Sequence, residues 1–380
     1  MSDLPPSAWV LVVAALVIGI LAGHFGWGKR WPKSLSKLHP DYLTGLDYLV
    51  TEQPDRALDM FVKLMEANAE TVETHFALGS LYRRRGEVER AIRIHQNLLA
   101  RAALAPEHRE QALLALAQDY LRAGLLDRAE VLFQQVSEVP RLRASALDAL
   151  RGLYERQHDW QQALGVFRQL ARIKSAPPRS VAAHYLCELA VVAMEKQATH
   201  EARRLLREAR AEMQPFARAA LLRSQIAEHE GNPALAVRLL RLVLTECPQL
   251  VQDELPHLLQ LVGAQRRDLV LGELVADAEA HGFDALKRVV FAAIAAGLVG
   301  AEPLRACIEK VFSQDSTLRA VCGGGPAQYE RVAHEIGALL AQAEKYRCNE
   351  CGFSGRSYYW NCPACHSWDS FASYAIFKLR

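Results

Sequence analysis

Four of the chain's eight cysteines lie within one short stretch, CNECGFSGRSYYWNCPAC, running from Cys348 to Cys365. Their pattern is C-x2-C, ten residues, C-x2-C. Two residues between thiolates let one tight turn present both sulfurs to a single ion, and a second such turn completes a tetrahedron. The intervening GFSGRSYYWN has glycines early and then Tyr358, Tyr359 and Trp360, which suits a turn leading into a short aromatic strand. Cys348, Cys351, Cys362 and Cys365 are therefore the candidate ligands of one metal ion. A pair of redox C-x-x-C sites and a pair of disulfides are the competing readings. The first needs a strand–helix–strand unit that the surrounding sequence lacks, and the second needs an oxidising compartment. Four thiolates suit zinc and iron alike and leave no open coordination position, so the role expected of the ion is structural.

A module of about 35 residues buries too little apolar surface to hold itself together without such an ion, and what precedes it must position it. Small residues recur at Ala57, Ala91, Ala129, Ala163, Ala202, Ala236, Gly272 and Ala306, with spacings of 34, 38, 34, 39, 34, 36 and 34. Aromatic residues keep step: Gly45 with Tyr48, Gly79 with Tyr82, Ala117 with Tyr120, and then Phe61, Phe133 and Phe167 four residues after their alanines. This order resembles the tetratricopeptide repeat, a helix–turn–helix unit of that period. The expected fold class is all-α: a solenoid of about eight helix pairs, the last two degenerate, each small residue opening the second helix of a pair. Stacked pairs share a core and line a long groove with their first helices, a surface suited to gripping another polypeptide.

The N-terminal AWVLVVAALVIGILAGHFGW carries no charge, and the 19 residues from Trp9 to Trp27 span about 27 Å as a helix. It reads as a transmembrane anchor; a cleaved signal peptide would begin with basic residues, and MSDLPPS has none. Lys29, Arg30, Lys33 and Lys37 follow it, so the bulk of the chain is expected on the cytoplasmic side and the N-terminus outside. The expected divisions are an anchor at 1–28, a basic juxtamembrane linker at 29–40, the repeat array at 41–322, a glycine break with a final helix at 323–345, and the metal module at 346–380.

With 45 basic and 43 acidic residues, a net charge of +2 demands no nucleic acid. His75, His95, His158, His184 and His200 lack the H-E-x-x-H spacing of a zinc hydrolase and read as packing or surface residues. Cys187, Cys247, Cys307 and Cys322 are scattered singly and read as packing residues. VCGGGPAQ has neither the lysine nor the preceding strand of a phosphate loop. No catalytic constellation emerges.

YRCNECGFSGRSYYWNCPACHSWDSF resembles the rubredoxin-type module of the lipopolysaccharide assembly protein B family, whose order of parts matches the whole chain. Tyr346 before Cys348, Cys351-Gly352-Phe353, Tyr359-Trp360, Cys362-Pro363 and Trp368 carry the likeness. The resemblance implies metal ligation by the same four cysteines, with iron by family analogy or else zinc. It also implies a non-enzymatic adaptor at the bacterial inner membrane that acts with an FtsH-type membrane protease in the breakdown of the lipid A deacetylase of the committed step. Other lipopolysaccharide synthesis and transport proteins are implied as further partners. One departure is His366, which stands where rubredoxins usually have glycine; the spacer is also far shorter. Electron transfer on a helical scaffold is the alternative reading.

Overall fold

The structure is a computed structural model, and it describes residues 40–51, 53–67, 72–173, 178–315, 318–320 and 326–373. The expected anchor at 1–28 and nearly all of the juxtamembrane linker lie outside the described residues, as do the glycine break, Cys322 and the last seven residues. Among the described residues no helix is long and apolar enough to cross a membrane.

Helices fill the chain up to Gln342. They are α1 (Pro40–Val50), α2 (Pro54–Ala67), α3 (Val72–Arg84), α4 (Val88–Leu99), α5 (Pro106–Arg122), α6 (Leu126–Ser137), α7 (Arg143–Gln157), α8 (Trp160–Arg172) and α9 (Arg179–Glu195). They continue as α10 (Thr199–Glu212), α11 (Ala217–His229), α12 (Pro233–Glu246), α13 (Val251–Val262), α14 (Arg267–Ala280), α15 (Phe283–Ala295), α16 (Glu302–Gln314) and α17 (Pro326–Gln342). A three-stranded antiparallel sheet follows, with β1 (Tyr346–Cys348) between β2 (Ser354–Gly355) and β3 (Phe371–Ser373). The chain divides into two compact units, residues up to Ala146 and residues from Leu147 onward.

A repeated turn explains the period of the sequence. Gly86, Gly124, His158, Gln197 and Gly231 all have positive φ, and in each case the next helix begins two residues later. The residue after each donates its N–H five residues back, to Tyr82, Tyr120, Tyr154, Ala193 and Ala227, closing the preceding helix with its terminal carbonyl satisfied. Three of the five are glycine because the left-handed region costs glycine nothing. His158 and Gln197 accept that cost. Asp159 and Asn232 then cap α8 and α12, accepting hydrogen bonds from the backbone N–H of Gln162 and Leu235. Five residues after each turn comes an alanine, and Ala91, Ala129, Ala163, Ala202 and Ala236 are all fully buried. Their small, buried side chains suit the close approach of the two helices of a pair.

The two final small residues depart from this register. Gly272 is half-buried and Ala306 is exposed; in α16 the buried face is carried by Leu304, Cys307, Ile308, Val311 and Phe312. The expectation that Ala306 fills the inter-helix position is thus corrected: larger side chains space these helices, and α15 packs against α13, α14, α16 and α17 in one broad core around Phe291, Phe312 and Tyr329. In the first unit the polar residues His95 and Asp119 are also buried. His95 Nδ1 is 2.5 Å from Asp119 Oδ2, and the Arg83 guanidinium donates to Asp119 Oδ1 at 2.7 Å.

Candidate metal centre

The C-terminal sheet is tiny, so its geometry comes from two matching turns. Gly352 N–H donates to the Cys348 carbonyl at 3.0 Å, and His366 N–H donates to the Cys362 carbonyl at 2.8 Å. The residue that follows the second cysteine of each turn is left-handed in both, Gly352 at φ 78° and His366 at φ 59°. His366 therefore does the backbone work of a glycine, which answers the departure noted in the sequence. Its side chain is exposed and it stands outside the cysteine cluster. Tyr358-Tyr359-Trp360 do not form the expected strand: β2 is confined to Ser354–Gly355, and Asn361 makes a lone bridge with Trp368. These aromatics pack as single rings instead. Tyr346 and Phe371 are buried at the module's centre, with Tyr358 edge-on to Tyr346 at 5.4 Å.

The four sulfurs of Cys348, Cys351, Cys362 and Cys365 lie within 4.8 Å of one another. Cys348 Sγ is 3.7 Å from Cys365 Sγ, and Cys351 Sγ is 3.7 Å from Cys362 Sγ. A tetrahedron with metal–sulfur bonds of about 2.3 Å has edges of about 3.8 Å, so the cluster fits one ion. The surroundings favour the thiolate at Cys348 and Cys365. Burial pushes the Cys348 thiol up, but the Ser370 hydroxyl, 3.3 Å from its sulfur, and the backbone N–H groups of Cys351 and Glu350 outweigh it and bring the pKa to about 6. Ser367 acts likewise on Cys365, lowering its pKa. Cys351, facing the three other sulfurs, is pushed up to about 12 despite the N–H of Phe353. Ionising all four would set like charges within 4.8 Å of one another, an arrangement that a cation among them relieves.

The module is clamped to the first helices of the second unit. Lys345 pairs with Asp253 at 3.0 Å, and Tyr346 donates its hydroxyl to the Gln249 carbonyl at 3.1 Å. Trp368 Nε1 donates to Glu155 Oε1 at 3.1 Å, an oxygen that also accepts from the Tyr185 hydroxyl at 2.5 Å and from Arg151 at 2.9 Å. His184, fully buried, stacks on Trp368 with ring centroids 4.7 Å apart and planes 19° apart. Arg218 lies 3.2 Å from His184 Nδ1. A guanidinium only donates, so Nδ1 accepts, and Nε2 carries the proton that goes to Asp369 Oδ1 at 2.8 Å. The same guanidinium bonds Glu188 at 2.6 Å and sits over the rings of Trp360 and Trp368 at 5.9 and 5.7 Å.

In this part of the array the metal module, through Trp368 and Asp369, thus covers part of the surface of the first helices, the face expected to grip another polypeptide. His184, which by sequence reads as a packing or surface residue, is the centre of the clamp. One signal was available: His184 and Arg218 are 34 residues apart, one repeat, so they hold equivalent positions on consecutive first helices. His75 and His95 are buried packing residues, and His158 and His200 are exposed, as the sequence suggested. Cys187 and Cys307 are buried and Cys247 half-buried.

Family models match both the repeat array and the metal module. The family described as "Rubredoxin metal binding domain" matches residues 346–373, and tetratricopeptide repeat families match residues 74–110, 146–179 and 187–251. Among solved structures, a tetratricopeptide repeat protein from Parabacteroides merdae is 13% identical, with a TM-score of 0.36 over 79% of this chain and 100% of its own. Lipopolysaccharide assembly protein B of Escherichia coli is 30% identical over 369 residues, covering 92% of this chain and 95% of the relative. The protein of the same name from Haemophilus influenzae is 28% identical over 389 residues, with the same coverage of both chains. The mostly helical repeat solenoid closed by a small rubredoxin-like zinc-ribbon module, together with these relatives, makes the chain a member of the lipopolysaccharide assembly protein B family.

Proposed function

We propose that this chain is a non-enzymatic adaptor of lipopolysaccharide assembly, moored in the bacterial inner membrane by residues 1–28, with its array on the cytoplasmic side. Cys348, Cys351, Cys362 and Cys365 hold one structural ion, iron by family analogy or zinc. That ion supplies cross-linking of the two turns and no reaction step. The array, taken as residues 41–322, recruits an FtsH-type protease and the lipid A deacetylase of the committed step and brings the second to the first; it also gathers other lipopolysaccharide synthesis and transport proteins. Confinement to the bilayer raises the adaptor's effective concentration near a membrane protease. The name of the relatives supports the lipopolysaccharide context.

The observation that carries an adaptor rather than a freely swinging redox carrier is the clamp around His184. It joins the ion-binding turns to three first helices, so the metal module braces the recruiting surface. Loss of the ion then alters the surface as well as the tail.

Two experiments test the reading. Elemental analysis of the freshly purified full chain should give close to one transition ion per chain; none bound removes the metal assignment. Crosslinking in intact membranes should capture the protease and the deacetylase with the parent chain and lose them with the Cys348→Ser/Cys351→Ser variant. Capture of neither by the parent overturns the adaptor role, and undiminished capture by the variant overturns the bracing role.

A further inference from the structure

One face of the second unit is crowded with arginine. Arg203, Arg207 and Arg210 follow one another at i, i+4 and i+7 along α10, which puts them on one side of the helix. Arg203 and Arg207 line a cavity of about 440 Å³ with His200, Arg223 and the apolar side chains Ile226, Leu235 and Leu239 of α11 and α12. Arg238 stands one turn from Leu235 on α12. The cavity is separate from the clamp on the metal module, because Arg218 and Arg223 are about 140° apart around the axis of α11.

The charges here are not neutralised as on an ordinary helix surface. Arg204, on the neighbouring side of α10, pairs with Glu201 and Glu208 in the usual helical manner. Arg203 has Glu230 at the rim. Among the described residues, Arg207, Arg210, Arg223 and Arg238 form no ion pair, and Arg210 Nε is buried without a hydrogen-bond partner. Burial, followed by the fields of Arg210, Arg203, Arg238 and Arg207, lowers the pKa of Arg223 below the ordinary arginine value. Like charges at such proximity oppose folding unless an anion joins them.

We propose that Arg203, Arg207 and Arg223, with Arg210 and Arg238 flanking them, form a binding pocket for a phosphorylated ligand. Planar guanidinium forks match phosphate oxygens two at a time, and a phosphate brings up to two negative charges into a small volume. The cavity has room for a phosphate together with part of what it is attached to. Its floor of Ile226, Leu235 and Leu239 gives the attached carbon skeleton an apolar contact. The phosphate can belong to a lipid headgroup or to a soluble molecule, and the same arginines would hold either. The proposal stands apart from the adaptor reading, since it rests on this cluster alone.

Calorimetric titration of the full-length, metal-loaded protein in neutral detergent, at fixed ionic strength, tests it with two probes: inorganic pyrophosphate and dihexanoyl phosphatidic acid. At least one should saturate a single site per chain. The R207Q/R223Q variant should weaken that binding by about tenfold or more, the usual loss for charge-assisted contacts, while R204Q leaves it unchanged. Tighter binding of the phosphatidic acid assigns the site to a lipid headgroup; equal or tighter binding of pyrophosphate assigns it to a soluble phosphate. Because two repelling charges are removed, R207Q/R223Q should also unfold at a higher temperature than the parent in the absence of added anion. Saturation by neither probe, unweakened binding to R207Q/R223Q, or tighter binding of a pentaglutamate peptide than of both phosphates overturns the proposal.

Discussion

His184 Nε2 donates to Asp369 Oδ1 across 2.8 Å, and 185 residues of sequence separate the two. The bond ties the loop beyond the last cysteine to the middle of the repeat array. Around it stand Trp368 against His184, Arg218 over two indoles, and Glu155 accepting from three donors. The metal module is by these contacts part of the solenoid's second unit.

Trp368→Ala should undock the module without emptying it. The substitution removes the ring stacked on His184 and the donor to Glu155, at a cost of about 2–4 kcal/mol for a large, partly buried aromatic with a hydrogen bond. Hydrogen exchange should accelerate across residues 346–373 while the metal content stays near that of the parent. Unchanged exchange in that segment would mean that the clamp does not hold the module.

Acidification should loosen the same joint. Burial lowers the His184 pKa below its ordinary 6.5; Asp369 pulls the other way, Arg218 pushes further down and Glu188 opposes it. The unfolded chain, whose histidine titrates near 6.5, takes up the proton first as pH falls. Stability is therefore complete above about pH 6.5 and is lost from there down toward the lower folded value, by at most about 1.4 kcal/mol per pH unit. Urea titrations across this range should show the slope in the parent and a flatter one in His184→Gln, where no proton binds. Thiolate protonation affects both chains alike, so only the difference between them reports on His184. Equal slopes would rule out the histidine as the titrating group.

Much of this was legible in the sequence because it is local. The C-x2-C spacing encodes a turn that closes within five residues, and the buried alanines recur because every helix pair meets the same steric limit at Ala91, Ala129, Ala163, Ala202 and Ala236. The clamp is not local. Trp368 and Glu155 are 213 residues apart, and neither residue type nor spacing names the partner. Ala306 misled for a related reason: its spacing of 34 fits the period, but in α16 bulkier neighbours such as Leu304 and Phe312 took over the buried face. The aromatic run Tyr358-Tyr359-Trp360 has strand propensity, yet the second cysteine turn follows so soon that the chain bends away after Gly355.

The left-handed backbone at His366 gives a graded test. His366→Gly should keep metal and stability within about 1 kcal/mol of the parent, since the lost side chain is exposed and glycine accepts φ 59°. His366→Val should cost more, about 1–3 kcal/mol, because a β-branched residue resists that conformation. Thermal unfolding of the metal-loaded chains decides the matter, and equal melting temperatures for the two variants would remove backbone strain as the determinant of this turn.

Gly79 should tolerate no side chain, for a reason peculiar to the first unit. A Cβ there would sit 2.5 Å from both Cε1 and Nε2 of His95. That ring has nowhere to move: His95 and Asp119 are both fully buried, and Asp119 is held in turn by Arg83. Gly79→Ala must therefore displace the histidine from its carboxylate or push α3 away from α4, which should cost about 2–4 kcal/mol. Gly165→Ala, in the interior of α8, meets nothing within 4 Å. It should stabilise by about 0.5–1 kcal/mol, because alanine restricts the unfolded chain and favours the helix. Urea midpoints should move in opposite directions for the two variants. A Gly79→Ala chain as stable as Gly165→Ala would show that the His95–Asp119 contact does not depend on the close approach of these helices.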